Sequence, residues 1–112
     1  MNTQGFDHIY VETHDWDRAV AFWQALGFEL EFATDHGSGM LTHPDGGPTV
    51  FVAQQSYDDP LAQAVYLKAA ADYAPPADVE VVRPFENTHW GTKVMIIRDP
   101  DGRHFRVEAP VE

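Results

Sequence analysis

From Phe6 to Glu12 apolar and polar residues follow a period of two, and Ile9, Tyr10 and Val11 are strand formers, so the segment predicts a β-strand. Phe6, His8, Tyr10 and Glu12 fall on one face of it, and Ile9 and Val11 on the other. A polar break, Thr13 to Asp17, offers Asp15 as an N-cap. The period then changes to that of a helix, over Trp16 to Leu26. Ala19, Phe22, Trp23 and Leu26 sit at i, i+3, i+4 and i+7, the spacing of a buried helical stripe. Gly27 stands where a C-terminal cap is expected. Three strands follow, Phe28–Phe32, Met40–Thr42 and Thr49–Ala53, the last after the turn Pro44-Asp45-Gly46-Gly47. The order is βαβββ.

The second half repeats this order with changes. Ala64–Lys68 predicts a strand. Ala69–Asp78 has helical composition, but Pro75-Pro76 ends it early. Val79–Val82, Thr92–Arg98 and His104–Glu108 predict strands, with Asp99–Gly102 as a turn. Pro44-Asp45-Gly46 recurs as Pro100-Asp101-Gly102, and the same offset of 56 carries Ile9-Tyr10-Val11 onto Val65-Tyr66-Leu67. Two matches at one offset point to a duplicated module. The expected organisation is a single α+β domain over residues 1–112, with modules 1–56 and 57–112 joined by the segment Gln54–Leu61.

Composition narrows the function classes. A chain of 112 residues, 44% hydrophobic and 22% charged, suits one globular core. No run approaches the roughly 18 apolar residues of a membrane span, and Met1–Phe6 lacks the pattern of a signal peptide. With no cysteine, disulfides and thiol catalysis are excluded, and the expected location is cytoplasmic. The net charge is -11, from 18 acidic and 7 basic residues, which argues against nucleic acid as a partner and favours cationic ligands.

Asp7-His8-Ile9-Tyr10-Val11 followed by Ala19-Val20-Ala21-Phe22-Trp23-Gln24-Ala25-Leu26-Gly27-Phe28 resembles the opening strand and helix of the vicinal-oxygen-chelate superfamily, which includes glyoxalase I and the bleomycin-resistance proteins. Trp90-Gly91-Thr92, Arg98-Asp99-Pro100-Asp101-Gly102 and Phe105-Arg106-Val107-Glu108 resemble its closing hairpin. The resemblance implies two βαβββ modules whose curled mixed sheets pair into an open cup, here with the second helix shortened.

In metal-dependent relatives, the first and last strands of each module supply His, Glu or Gln ligands. His8 matches the first such place, and its repeat mate is Ala64. The last-strand place, four residues after the turn glycine, holds Arg106, and its repeat mate by the same count is Val50. One ligand-competent side chain in four, with a permanent cation in another place, argues against a metal cofactor. The alternative is a divalent ion held by His8 and Glu108, with Gln63, His36, His43, His89 or His104 approaching from nearby, in a lyase, isomerase or dioxygenase of glyoxalase type.

Without metal, the resemblance implies the bleomycin-resistance branch: homodimers that bind a hydrophobic or cationic antibiotic-like molecule and perform no reaction. The residues expected to contact such a ligand are His8, Tyr10, Phe32, His36, Met40, Phe51, Tyr66, His89, Trp90, Arg106 and Glu108. His8 also reads as a satisfied polar residue, and Arg106 as a structural ion-pair partner.

Overall fold

The computed structural model describes residues 2–112. In chain order the elements are β1 (Phe6–Thr13), α1 (Trp16–Ala25), β2 (Glu29–Ala33), β3 (Ser38–Thr42), β4 (Thr49–Gln54), β5 (Gln63–Lys68), β6 (Glu80–Asn87), β7 (Thr92–Arg98) and β8 (His104–Pro110). They form two compact units. The N-terminal unit is His8–Gln63; the C-terminal unit is Ala64–Glu112 with the residues up to Asp7.

In the N-terminal unit the strands lie in the order β2-β3-β4-β1, with β1 and β4 parallel and the other pairs antiparallel. Asp15 caps α1 as expected: its backbone is extended (φ -145°) and its Oδ1 accepts the Arg18 N–H at 3.2 Å. The Trp16 N–H donates to Gln54 Oε1 at 2.8 Å, tying the start of the helix to the end of β4. Gly27 leaves the helix with φ +97°, the left-handed conformation that glycine takes without strain.

Leu41, Val50 and Val52 are buried under α1, and Trp16, Ala19, Val20 and Trp23 pack on them. These four helix residues hold the i, i+3, i+4, i+7 spacing, so the stripe is displaced from the one expected. Phe22 and Leu26 are 57% and 54% exposed. The displacement follows from Gly39, where a side chain would collide with the Trp16 ring; its absence lets that indole settle on the sheet and sets the helix's rotation.

In the C-terminal unit the order is β5-β8-β7-β6, with β5 and β8 parallel. The N-terminal arm joins it: the Gln4 N–H donates to Lys68 O at 2.7 Å and the Lys68 N–H to Gly5 O at 2.9 Å. The shortening of the second helix goes as far as a turn, closed by the Tyr73 N–H on Ala70 O. Two consecutive prolines leave too few N–H donors to propagate a helix there. Ala69 and Tyr73 nonetheless fill the helix's place, packing with Met95, Val107 and Ala109. Lys93 Nζ reaches over the Phe85 ring to donate to Ala71 O at 2.7 Å.

Strand β6 runs well past the expected Val79–Val82, through Pro84. The proline is tolerated because β6 has a single ladder partner and the register shifts between Arg83 and Glu86, so no ladder bond depends on the missing N–H.

The repeat is real in the strand pairings, but its offset changes by one. Tyr10 pairs with Phe51, and Tyr66 pairs with Arg106. The first Pro-Asp-Gly turn is followed by Gly47-Pro48 before its strand, the second by Arg103 alone. Arg106 therefore takes the place of Phe51, not of Val50 as a constant offset implied. A one-residue shift exchanges the two faces of a strand, and Val50 is buried beneath α1.

Candidate ligand-binding faces

The face of the N-terminal sheet opposite α1 carries a row of side chains fixed by strand register. Tyr10 lies opposite Phe51, Phe51 opposite Met40, and Met40 opposite Phe32. Residues in register share a face. The Tyr10 and Phe51 rings are nearly parallel, 14° apart with centroids at 6.2 Å, and Phe32 follows at 6.4 Å. Phe32 is 46% exposed and the other three are half-buried, so the row is a surface and not a core. Glu12 borders it on β1. Its Oε2 accepts the Tyr10 hydroxyl at 2.7 Å and its Oε1 accepts the Ala62 N–H at 2.8 Å, which holds a negative charge at the end of the row. His8 is in register with Thr49 at the start of β1's pairing with β4.

His36 lies in the turn between β2 and β3. Its Nδ1 is 3.1 Å from Asp35 Oδ1, and this hydrogen bond holds the Asp35 carboxyl below its ordinary value. The His36 side chain is 75% exposed and stands apart from the row. His43 Nδ1 accepts the Asp45 N–H at 3.1 Å, and its ring meets Phe28 edge-on, which occupies it structurally.

The C-terminal sheet has the equivalent row with different chemistry. Tyr66 lies opposite Arg106, Arg106 opposite Ile96, and Ile96 opposite Arg83. The Arg106 guanidinium carbon is 5.8 Å from the centre of the Tyr66 ring, a cation–π contact. Arg106, Arg83, Glu86, Asn87, Thr88, Val94 and Ile96 line a hollow of about 140 Å³. Arg83 Nη1 lies 3.7 Å from Glu86 Oε1. Among the described residues Arg106 makes no hydrogen bond or ion pair. Arg83, Glu86 and Asn87 were not singled out from the sequence, because the segment beyond Val82 did not read as strand.

Two positions along β8, Glu108 Oε2 accepts the Trp90 Nε1–H at 2.6 Å and the Thr92 hydroxyl at 2.8 Å. Trp90 is 53% exposed, yet this bond fixes its indole, and the His89 ring meets it edge-on at 4.9 Å. Carboxylate oxygens of Asp7 and Glu108, both in this unit, lie within 4.8 Å of each other. His8 follows Asp7 directly in the chain.

Of the residues in the family's metal places, His8 alone offers a ligand atom. Arg106 stands at the last-strand place with its permanent charge, and Phe51, its equivalent in the first module, has no ligand atom. Asp7 and Glu108 supply carboxylates nearby, but one Glu108 oxygen is already committed to two donors.

The fold, the duplicated strand pairing and the two open faces define a class. The model of the glyoxalase/bleomycin resistance protein/dioxygenase superfamily matches residues 5–107, and the chain belongs to that superfamily. No curated protein matches the sequence. Among solved structures, methylmalonyl-CoA epimerase from Mycobacterium tuberculosis is similar with TM-score 0.63 and 15% identity, covering 98% of this chain and 90% of that one. A superfamily member from Vibrio splendidus 12B01 is similar with TM-score 0.58 and 20% identity, covering 91% and 96%. The 2,2',3-trihydroxybiphenyl 1,2-dioxygenase from Sphingomonas wittichii strain RW1 is similar with TM-score 0.57 and 12% identity, covering 99% of this chain and 42% of the dioxygenase. At these identities the likeness is one of fold. No described helix is long and apolar enough to cross a membrane.

Proposed function

We propose that the protein binds a small, flat, hydrophobic or cationic molecule of antibiotic-like character, without a metal and without turning it over. The observation that carries this reading is the row Tyr10–Phe51–Met40–Phe32 on the face opposite α1, in which Phe32 is exposed and the other three are half-buried. Covering one exposed aromatic ring removes on the order of 100 Å² of apolar surface from water, about 2.5 kcal/mol at 25 cal/mol per Å². Ring faces also attract cations, and the fixed Glu12 carboxylate adds a charge at the edge. The net charge of -11 draws cationic ligands toward the protein. A homodimer in the cytoplasm completes the proposal. Exposed Phe22 and Leu26 on α1 are apolar surface that a second copy can cover, and sedimentation at micromolar concentration reads the state directly.

Proflavine, a flat aromatic cation, is a suitable fluorescent probe. The expected result is saturable binding that weakens about tenfold in Phe51→Ala, which removes the central ring. Equal binding by wild type and Phe51→Ala, or none by either, overturns the reading. A second reading, a divalent-metal lyase, isomerase or dioxygenase, draws support from the Asp7–Glu108 pair. Calorimetric titration of chelator-treated protein with nickel, manganese and zinc separates the two. One ion per chain at micromolar strength, lost in Glu108→Gln, replaces the first reading with the second.

A further inference from the structure

We infer that the hollow of the C-terminal unit is a carboxylate site, in which Arg106 grips the anionic end of a small organic acid while Val94 and Ile96 bed its carbon skeleton. Charge gives the first argument. The chain has 18 acidic and 7 basic residues, and Arg83, Arg98 and Arg103 each pair with a carboxylate. Arg106 is half-buried and pairs with none among the described residues. Partly desolvating a guanidinium without an anion is unfavourable, and a bound carboxylate offsets that cost with two parallel N–H···O bonds. Tyr66 beneath it holds the guanidinium by its ring face, which leaves the N–H edge for a ligand.

Size gives the second argument. Water occupies about 30 Å³ in the liquid, so a hollow of 140 Å³ has room for a carboxylate and a few carbons. The lining gives the third. Val94 and Ile96 are apolar and lie opposite Glu108 and Arg106 in register, so they form the floor beside the cation. Glu86 on the wall, 3.7 Å from Arg83, cancels part of the second positive charge. That balance leaves one net positive charge, which a single carboxylate neutralises and a phosphate dianion exceeds. The place is the one occupied by Phe51 in the first module, so the duplicated fold offers a ring in one unit and a cation in the other.

The test is an amide-resolved NMR titration of the whole chain with butyrate, butyramide and inorganic phosphate. Butyrate is expected to move the amides of Val94, Ile96 and Arg106 with a Kd of about a millimolar, reasonable for a ligand of six heavy atoms. Butyramide and phosphate are expected to bind at least about tenfold more weakly. Arg106→Gln is expected to abolish the butyrate response, and Arg106→Lys to restore part of it. Equal shifts with butyrate and butyramide, stronger binding of phosphate, or an unchanged response in folded Arg106→Gln each overturn the inference. If Arg106→Gln fails to fold, the comparison of ligands on the wild-type chain decides. The inference rests on this hollow alone, so failure of proflavine to bind leaves it standing.

Discussion

Replacing Gly39 by alanine tests how closely α1 and the N-terminal sheet are fitted. Gly39 lies on β3 opposite Ala33 and Val52. A Cβ there would fall 2.4 Å from Phe32 O, 2.8 Å from the Trp16 indole and 3.1 Å from Ala33 Cα. The Trp16 ring can tilt away; the carbonyl oxygen belongs to a paired strand and moves only with its backbone. Overpacking of this kind costs about 1–3 kcal/mol, and the backbone clash puts Gly39→Ala near the top of that range. Restricting the unfolded chain returns about 0.4–1 kcal/mol, which leaves a net loss of about 2 kcal/mol. For a chain of this length that is a fall in Tm of roughly 8–16 °C. Urea denaturation followed by tryptophan fluorescence measures it, with Gly46→Ala as the comparison. Gly46 also lacks a side chain, but a Cβ there meets nothing within 4 Å and only its φ of +94° is strained. A Gly39→Ala protein within about 0.5 kcal/mol of wild type, the ordinary range for surface changes, would refute the argument that Gly39 sets the seat of Trp16.

Other outcomes follow from single contacts. Asp15→Ala removes the helix cap and is expected to cost about 1 kcal/mol, read from the same denaturation curves. Val107→Ala empties part of the C-terminal core, where Val107 is fully buried, and is expected to cost about 2 kcal/mol. Asp99 is held below the ordinary carboxylate value, first by the Arg103 N–H, with the Arg103 guanidinium and the Asp101 N–H adding to it. Its folded pKa lies below its unfolded one, so its stabilisation is complete above about pH 4 and is lost as the pH falls further. Asp99→Asn should therefore differ most from wild type near neutral pH and least in acid, measured by thermal unfolding across that window.

Local signals in the sequence carried most of the fold. Asp15, Gly27 and the two Pro-Asp-Gly turns act through their immediate neighbours, so their roles were readable one by one. Alternation assigned Tyr10 to a face before pairing was known, and the strand register then sets Phe51, Met40 and Phe32 in one row with it. Pairing itself was not legible. The extra residue at Gly47-Pro48 moves the second module's equivalences by one, and only the strand register shows that Arg106 stands for Phe51. The rotation of α1 depended on the missing side chain of Gly39, 23 residues after Trp16 in the chain. Likewise Glu108 is steered by Trp90, 18 residues earlier, through a bond that no local pattern announces. The sequence pattern predicts a strand ending at Val82, whereas β6 continues through Pro84, whose tolerance depends on having one neighbour, a property of topology.

That same feature bears on how the protein survives its own concentration. β2 and β6 each end a strand order, so each offers unpaired backbone groups along one side. Both are broken in register, β2 between Leu30 and Phe32 and β6 on either side of Arg83, and both carry charge: Glu29 and Glu31 on one, Glu80, Arg83 and Glu86 on the other. A foreign strand seeking a straight, uncharged template finds neither, and Pro84 denies it a donor midway. Two identical chains meeting edge to edge would oppose acid with acid at β2. The irregularities that obscure these strands in the sequence thus serve as stops against open-ended sheet growth.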